Sequence, residues 1–162
     1  MIIFKKTKFG NIGLEEKGGS ITKLVFENDS RKIEGETCLF DEKTASSVLK
    51  EAFRQLDEYF DGKRTEFDLP LAPQGTPFMR KVWDALCDIP YGETATYKDI
   101  AIAVGSPKAY RAVGMANNRN PIGIIVPCHR VIGCSGKLVG YAGGTDLKYK
   151  LLRLENKNFT EK

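Results

Sequence analysis

The pair Cys128-His129 carries the clearest chemistry in this sequence, and His129 is the only histidine in the chain. A cysteine attacks as its thiolate, and because a free thiol has a pKa of about 8.5, an activated cysteine needs a base or a cation nearby. The adjacent imidazole is the candidate for that base. The apolar run 122–126 precedes the pair and Pro127 ends the run, which predicts a buried strand with the thiol at its end.

The four cysteines, Cys38, Cys87, Cys128 and Cys134, form no CxxC pair. With one histidine in the chain, the usual mixed zinc site cannot be built without carboxylates, so neither a metal nor a disulfide framework is expected. Cys87 continues the apolar pattern of a predicted helix and is expected in the core. Cys38 and Cys134 receive no role, and Cys134 is expected in a loop.

The composition is that of an ordinary globular protein, with 162 residues, 41% hydrophobic and 28% charged. No stretch approaches the roughly 20 apolar residues that a membrane-spanning helix needs, and residues 1–6 lack the pattern of a signal peptide. We therefore expect a cytoplasmic protein with no membrane contact. The formal net charge of +4 permits a polyanionic partner but is too small to demonstrate one.

The first part of the chain has the patterns of a small sheet and one helix. Residues 1–7, 10–16 and 20–27 are short β-branched or aromatic segments separated by turn signals, which predicts an antiparallel sheet. Apolar residues then recur at spacings of three and four over residues 45–60, and Asp61-Gly62 ends the pattern. That periodicity predicts an amphipathic helix.

Proline and glycine residues cluster between Pro70 and Pro77 and predict a boundary in the chain. We expect an N-terminal α/β scaffold unit over residues 1–70 and a mostly helical C-terminal unit over residues 75–162. Thr76-Pro77 supplies the N-cap and first-turn proline of the first C-terminal helix. The fold class is therefore α+β, with a winged-helix-like second unit.

Two helical segments, 96–104 and 106–118, are separated by Gly105 and have the signature of a helix-turn-helix. Ser106-Pro107 supplies an N-cap and a first-turn proline to the second segment. Its predicted buried stripe is Ala109, Ala112, Val113 and Ala116, and its predicted outward face is Lys108, Arg111, Gly114, Met115 and Asn118. That face is cationic and small, which suits either nucleic-acid binding or simple helix packing.

Several motifs in order resemble one known family. They are Tyr97, Arg111-Ala112-Val113-Gly114, Asn120-Pro121, Pro127-Cys128-His129-Arg130-Val131, Gly140-Tyr141-Ala142-Gly143-Gly144 and Leu151-Leu152-Arg153-Leu154-Glu155. Over about residues 75–156 the chain resembles the O6-alkylguanine-DNA alkyltransferases, also called methylated-DNA:protein-cysteine methyltransferases. The N-terminal third resembles the family only in its expected α/β character.

The resemblance implies a single-use transfer of an alkyl group from O6 of guanine to the protein's own cysteine. Cys128 is then the acceptor, and neutral His129 takes the thiol proton through a bridging water. Glu155 holds the other ring nitrogen and stabilises the imidazolium. Asn120 resembles a residue that braces the turn into the active site.

The resemblance also implies a base pocket. The Tyr97 hydroxyl and the backbone N–H of Ala142 donate hydrogen bonds to the departing guanine, and the carbonyls of Cys128 and Val131 accept from its amino group. Tyr141 and Gly143 belong to the flexible wall, residues 140–144. The positions Asn117, Gly123 and Ala142 differ from those of some relatives, so methyl transfer is the expected reaction.

The remaining implications concern DNA. Because a base inside a duplex cannot reach a buried thiol, the nucleotide must be flipped. Arg111 is the residue implied to replace it in the stack, and Ala112 and Gly114 allow the helix to approach the minor groove closely.

The partner implied is double-stranded DNA containing O6-alkylguanine, chiefly O6-methylguanine, with O4-methylthymine as a candidate second substrate. The resemblance implies a monomer with no cofactor, no metal and no obligate protein partner.

Two other functions remain open. One is a non-enzymatic lesion sensor resembling the alkyltransferase-like proteins, against which Cys128 argues, because those proteins typically carry tryptophan there. The other is a turnover hydrolase that uses Cys128, His129 and Glu155 to form and release an acyl enzyme.

Overall fold

A four-stranded sheet forms the N-terminal part of the computed structural model, which describes residues 1–29, 31 and 33–161. Its strands are β1 (Ile2–Thr7), β2 (Gly10–Lys17), β3 (Ser20–Phe26) and β4 (Thr37–Leu39). The order is β3-β2-β1-β4, with antiparallel pairing except between β1 and β4. The three predicted strands are confirmed, and β4 is an additional short edge strand.

Helix α1, Ser47–Phe60, packs on this sheet as the apolar periodicity predicted. The Ser46 side chain accepts a hydrogen bond from the backbone N–H of Leu49, which caps the first turn. Gly62 has a φ of +74° just beyond the helix, a conformation that glycine adopts at low cost. The buried face of α1 is formed by Leu49, Ala52, Phe53, Gln55, Leu56, Tyr59 and Phe60.

The C-terminal part is mostly helical, as expected. A two-stranded parallel ladder pairs β5 (Ala95–Thr96) with β6 (Val131–Ile132). The 3₁₀ turn Cys128–Arg130 lies directly before β6. The elements in order are α2 (Pro77–Cys87), β5 (Ala95–Thr96), α3 (Tyr97–Ala103), α4 (Tyr110–Asn118), β6 (Val131–Ile132) and α5 (Thr145–Glu155).

Helices α3 and α4 form the predicted helix-turn-helix, but α4 starts later than predicted. Thr96 caps α3 in a capping box with Asp99. The predicted cap at Ser106-Pro107 is wrong, because Ser106 instead accepts, through its carbonyl, a turn hydrogen bond from Ala109 N–H before α4 begins. The predicted buried stripe is also wrong at Ala112, which is exposed.

The predicted strand at 122–126 is wrong. The segment is a series of tight turns, in which Val126 N–H donates to the Ile122 carbonyl and Ile125 N–H donates to the Gly123 carbonyl. Ile124 has a φ of +68°, a left-handed conformation that is strained for a β-branched residue. The apolar side chains are buried as predicted, but Cys128 begins a 3₁₀ turn and does not end a strand.

Cys87, the last residue of α2, is exposed, so its predicted place in the core is wrong. The buried face of α2 consists of Val82, Trp83 and Leu86. One residue beyond Leu86, the helix has turned by about 100°, which carries Cys87 away from that face.

Strand β3 connects the sheet to the C-terminal part through its backbone. Leu24 N–H donates to the Pro121 carbonyl at 2.8 Å. Side chains from both parts also belong to one contiguous hydrophobic core. The segment that precedes the active-site turn is therefore held against the sheet.

Candidate active site

Cys128 lies buried at the first position of the 3₁₀ turn. Its backbone N–H donates to the Val126 carbonyl at 2.8 Å, which fixes the residue directly after Pro127. Burial raises the pKa of the Cys128 thiol, while the Asn120 side chain and the cations Lys148 and Arg31 act in the opposite direction. The thiol therefore needs a base to become a nucleophile.

The imidazole of His129 and the carboxylate of Glu155 form a buried pair, with 2.6 Å between Nε2 and Oε2. Since an ionised carboxylate only accepts, the proton of a neutral His129 belongs on Nε2 and Nδ1 keeps a free lone pair. Among the described protein groups, none bonds the buried Nδ1 atom. Burial lowers the pKa of His129, against the opposing effect of Glu155, so the ring is neutral and able to take a proton.

Glu155 accepts hydrogen bonds from three side chains. Besides His129, Arg130 donates from Nε to Oε1 at 2.7 Å and from Nη2 to Oε2 at 3.1 Å. The Tyr59 hydroxyl of α1 donates to Oε2 at 2.5 Å. Burial alone would raise the pKa of Glu155, but the hydrogen bonds of His129 and Arg130, together with the positive charge of Arg130, lower it to about 2. The carboxylate is therefore ionised at neutral pH.

Arg130 is itself fully engaged by the surrounding residues. Its Nη1 donates to the Ile89 carbonyl at 2.6 Å, and its guanidinium lies 5.8 Å from the centre of the Tyr91 ring. Sequence reasoning quoted Arg130 within a motif but gave it no role, and it missed Tyr59 entirely. No pattern in the sequence marks Tyr59, because it lies 96 residues before Glu155.

Asn120 braces the turn that leads into the active site. Its Nδ2 donates to the Val126 carbonyl at 2.8 Å, and its Oδ1 accepts from Ile122 N–H at 3.0 Å. The Asn120 carbonyl accepts from Nη1 of Arg31, whose guanidinium also pairs with Asp29 at 2.9 Å. Arg31 was not predicted, and it brings a cation from the N-terminal part to the cavity beside Cys128.

A small cavity of about 10 Å³ adjoins Cys128. That volume holds about one water molecule, so a purine base needs the wall to move. The hydroxyl of Tyr141 is buried there without a hydrogen-bonding partner among the described residues. The lining residues are Phe26, Arg31, Asn117, Asn118, Asn120, Gly123, Cys128, Gly140, Tyr141 and Ala142.

Gly143 lies outside this lining and is closely packed. A Cβ built at Gly143 would lie 2.6 Å from Cδ2 of Leu147 and 3.0 Å from Cδ2 of Phe26. A larger residue would therefore push one of these side chains aside. This wall was expected to be flexible, and close packing is a second reason for glycine at position 143.

The carbonyl of Val139 anchors the wall to two helices. Lys148 of α5 donates to it from Nζ at 3.0 Å, and the Tyr97 hydroxyl of α3 donates to it at 3.4 Å. Lys148 is fully buried, and burial lowers its pKa to about 8. In this conformation, the Tyr97 hydroxyl that was predicted to serve the departing base holds the wall.

The exposed face of α4 lies apart from the buried residues. Arg111, Ala112 and Met115 are exposed on it, and a Cβ built at Gly114 would lie 3.9 Å from the Tyr97 ring. Val131 is buried in β6, opposite Ala95. The structure thus brings Cys128, His129, Glu155, Asn120, Tyr141 and Ala142 into one region and leaves Arg111 and Ala112 on the outer surface.

Within residues 1–29, 31 and 33–161, no group of three or more His, Cys, Asp or Glu side chains is arranged to hold a metal ion, so we assign no metal ligands. Over the same described residues, no helix combines the length and apolarity that crossing a bilayer requires.

The C-terminal part thus combines a buried cysteine, a histidine–carboxylate pair and a helix-turn-helix, a combination that fits a DNA-binding protein with a reactive cysteine. The family model described as 6-O-methylguanine DNA methyltransferase, DNA binding domain, matches residues 77–157. The one described as 6-O-methylguanine DNA methyltransferase, ribonuclease-like domain, matches residues 3–73. The chain belongs to the 6-O-methylguanine DNA methyltransferase family. Membership confirms the family that the motifs predicted, and with it the enzyme class and the α+β fold.

Individual relatives agree with this assignment over most of the chain. A methylated-DNA–protein-cysteine methyltransferase of Methanosarcina mazei is 54% identical over 144 residues, covering 89% of this chain and 88% of the relative. A constitutive enzyme of the same name from Bacillus subtilis is 49% identical, covering 97% and 96%. A crystal structure of Mycobacterium tuberculosis OGT in complex with DNA superposes with a TM-score of 0.86 at 43% identity, covering 96% of this chain and 92% of that chain.

Proposed function

We propose that this protein repairs O6-alkylguanine in double-stranded DNA by moving the alkyl group irreversibly to its own Cys128, one group per chain. The chief substrate is O6-methylguanine, with O4-methylthymine as a candidate second. The observation that carries this proposal is the buried His129–Glu155 pair directly beside the cysteine, with Nε2 and Oε2 2.6 Å apart. The family membership supplies the reaction class.

The proposed reaction begins with a proton transfer. Neutral His129 takes the thiol proton of Cys128 at Nδ1 through a bridging water, and the ionised Glu155 stabilises the resulting imidazolium. The thiolate then attacks the methyl carbon, so a carbon–sulfur bond forms as the carbon–oxygen bond breaks. The bonding electrons leave with O6, and the resulting guanine anion takes up one proton at N1, which balances the proton that the Cys128 thiol gave up to His129. Neutral guanine is thereby restored in the DNA.

The departing base needs donors for its developing negative charge. We assign the Tyr97 hydroxyl and the Ala142 N–H to this task, and the carbonyls of Cys128 and Val131 to the guanine amino group. The Tyr97 hydroxyl bonds Val139 in the present conformation, so it must exchange that acceptor for the base. The small cavity beside Cys128 leads to the same requirement that the wall moves when a base binds.

The proposed DNA contact is the exposed face of α4. Arg111 takes the place of the flipped nucleotide in the stack, while Ala112 and Gly114 keep this face low enough to lie in the minor groove. No base needs to be read, because a repair protein must accept its lesion in any sequence. Binding is therefore expected to depend mainly on phosphate contacts and to weaken as salt rises.

The protein is proposed to act as a monomer, because the described residues of one chain build the whole pocket. The exposed thiols Cys38, Cys87 and Cys134 suit a reducing compartment, and we propose the cytoplasm. The division into a scaffold unit (1–70) and a DNA-binding, alkyl-accepting unit (75–162) is likewise part of this proposal.

The decisive experiment is intact-protein mass spectrometry after incubation with a duplex that carries O6-methylguanine. We expect the mass of one methyl group, never two, and no addition to a Cys128→Ser variant. Binding of the lesion without a mass change would favour a lesion sensor instead. Sustained hydrolysis of an ester or amide would favour a turnover hydrolase.

Base flipping is tested separately with Arg111→Ala. Loss of this side chain should slow repair of the duplex lesion far more than transfer from free O6-methylguanine base, because the thiol chemistry is intact. Lys108→Ala, which removes one exposed cation just before α4, is the matched control. An equal loss on both substrates would refute the role of Arg111.

A further inference from the structure

Tyr59 connects the N-terminal part directly to the candidate active site. It is fully buried on α1, and its hydroxyl donates to Oε2 of Glu155 at 2.5 Å. The rings of Phe60, Phe67 and Tyr91 surround it, with ring centres 5.3 to 6.2 Å away. The hydroxyl is therefore held in one place by packing, and none of the steps proposed for alkyl transfer uses it.

We propose that Tyr59 is a positioning residue of this reaction: its hydroxyl shares the Glu155 oxygen that holds His129 and thereby limits how strongly the carboxylate draws a proton onto the imidazole. This inference rests on the proposed function, because it assigns a part in the same proton transfer. It gives the N-terminal part a role in the chemistry beyond that of a scaffold.

The carboxylate of Glu155 accepts several hydrogen bonds besides that of Tyr59. Oε2 of Glu155 accepts hydrogen bonds from His129, from the Tyr59 hydroxyl and from Nη2 of Arg130. Oε1 accepts from Nε of Arg130 and, at 3.4 Å, from the N–H of Gly92. Each donor other than His129 withdraws charge from the carboxylate, and the Tyr59 hydroxyl and Nη2 of Arg130 do so at Oε2, the oxygen that faces the imidazole. Each of them therefore lowers the proton affinity of the His129–Glu155 pair. Burial and the nearby carboxylate raise the pKa of Tyr59, so its hydroxyl keeps its proton and can only donate to the carboxylate.

The other charged groups around His129 also affect its pKa. Arg130 and Lys148 disfavour the imidazolium, and Glu155 favours it. Cys128, beside the imidazole in the chain, favours it only as thiolate. Removing the Tyr59 hydroxyl leaves all of these groups in place and increases the charge on Oε2. The pKa of His129 should therefore rise. In the variant, the imidazole is then already protonated at a pH at which it is still neutral in the unmodified protein, and it cannot accept the thiol proton.

The first test is an NMR titration of His129, which is unambiguous because the chain has one histidine. In Tyr59→Phe, the titration midpoint of the labelled imidazole should rise by about half a pH unit or more. Tyr91→Phe is the matched control, because it removes a part-buried tyrosine hydroxyl that bonds the Leu154 carbonyl and not the Glu155 carboxylate. An unchanged midpoint in Tyr59→Phe, or a ring that stays neutral until acid unfolding, would overturn the inference.

The second test measures methyl transfer from lesion duplex to Cys128 in single turnovers across pH. The acid limb of the Tyr59→Phe profile should move to higher pH, giving about a two-fold loss at the original midpoint, about a three-fold loss well below it and little loss at pH 8.5, since half a pKa unit is about a factor of three. A merely structural role for Tyr59 would instead lower the rate equally at every pH and would contradict the inference. Absence of transfer in the unmodified protein would refute the proposed function, whereas the NMR midpoint tests Tyr59 alone.

A third variant keeps the test decisive if Tyr59→Phe fails to fold. Site-specific replacement of Tyr59 by 3-fluorotyrosine keeps the ring and makes the hydroxyl a stronger donor. The His129 midpoint should then fall, opposite to the phenylalanine variant. A midpoint that rises or stays constant with the stronger donor would overturn the inference.

Discussion

Glu155 is the residue through which the proposed chemistry and the local stability should be coupled, because it bonds His129, Arg130 and Tyr59. It is 8% exposed, and its carboxylate faces the buried Arg130 at 2.7 Å. A buried ion pair contributes modestly as a pair, yet breaking it by removing one partner is costly, because the other charge stays buried without compensation. The same carboxylate fixes the imidazole of His129. A substitution there should therefore affect folding and transfer together.

We predict that Glu155→Gln lowers the free energy of unfolding at pH 7 by about 3 kcal/mol and abolishes fast methyl transfer. The folded-state pKa of Glu155, about 2, lies below the ordinary carboxyl value of 4.5. Its contribution is therefore fully present above pH 4.5 and is lost as pH falls through about 2. Urea unfolding between pH 7 and pH 2.5 should show the difference between the two proteins shrinking below pH 4.5.

Glu51→Gln is the matched control, because Glu51 also pairs with an arginine, Arg54, but on the exposed face of α1. Its substitution should change the stability far less, since exposed pairs contribute little. An equal effect of both substitutions, or a Glu155→Gln difference that is independent of pH, would contradict the assignment.

At this scale the sequence predicted the residues that lie in motifs and missed those that come from elsewhere in the chain. Cys128, His129 and Glu155 were found because adjacency and the family's motifs mark them. Arg31 reaches the site across 89 residues and Tyr59 across 96. Such contacts depend on how the sheet, α1 and the turn at Cys128 pack together. The periodicity of a single sequence does not predict that packing.

Helix α4 combines weak local stability with an exposed cationic face. It has no side-chain N-cap bond and carries Gly114 in its interior. Glycine in a helix interior costs about 1 kcal/mol relative to alanine. The surrounding protein leaves room for a methyl group at this position, since a Cβ built at Gly114 would lie 3.9 Å from the Tyr97 ring. Packing within the protein therefore does not require glycine, which points to close approach by a partner.

We predict that Gly114→Ala raises the free energy of unfolding by about 0.5 to 1 kcal/mol and at the same time weakens duplex binding. Higher stability combined with weaker DNA binding is expected only if the surface of α4 lies against DNA, because only then does the added methyl group of the alanine meet the duplex. Thermal unfolding and fluorescence anisotropy with a labelled duplex measure them on the same preparation. A more stable variant with unchanged DNA affinity would contradict a groove-lying α4.

Among the elements, the sequence predicted those with clear periodicity and failed where an apolar run had none. The segment 122–126 is buried as predicted, but Ile124 at a φ of +68° and the brace from Asn120 fold it into turns. A short apolar run cannot distinguish a strand from a buried turn, because burial alone selects apolar residues. The cap at Ser106-Pro107 failed for a similar reason, since the same residues also favour an ordinary turn.

At the scale of the whole molecule, the N-terminal part is attached to the active-site turn at several points. Leu24 N–H bonds the Pro121 carbonyl, Arg31 bonds the Asn120 carbonyl, and Tyr59 bonds Glu155. The first two connections reach the segment that leads to Cys128 and His129, and the third reaches the carboxylate at the end of α5 that holds His129. A shift of the sheet would therefore disturb the turn, and the two parts should lose their structure together.

We predict that damage to the sheet is detected by the only tryptophan, Trp83, which is buried in α2 and bonds the Ala116 carbonyl. Leu24→Ala removes a fully buried side chain from β3 and should lower the stability by about 2 to 5 kcal/mol. Leu39→Ala, on β4, is the matched control, because that leucine is 82% exposed and should change the stability by less than about 0.5 kcal/mol.

The measurement is urea unfolding followed by Trp83 fluorescence and by far-ultraviolet circular dichroism in the same samples. In Leu24→Ala, both transitions should move to lower urea by the same amount and stay coincident, because one core and three hydrogen-bonded connections couple the sheet to α2 and the active-site turn. A dichroism transition that shifts while the Trp83 transition stays in place would mean that the sheet unfolds independently. In that case, the hydroxyl of Tyr59 could be withdrawn from Glu155 while the helix-turn-helix remained folded, and the N-terminal part would act on the chemistry as a separable unit.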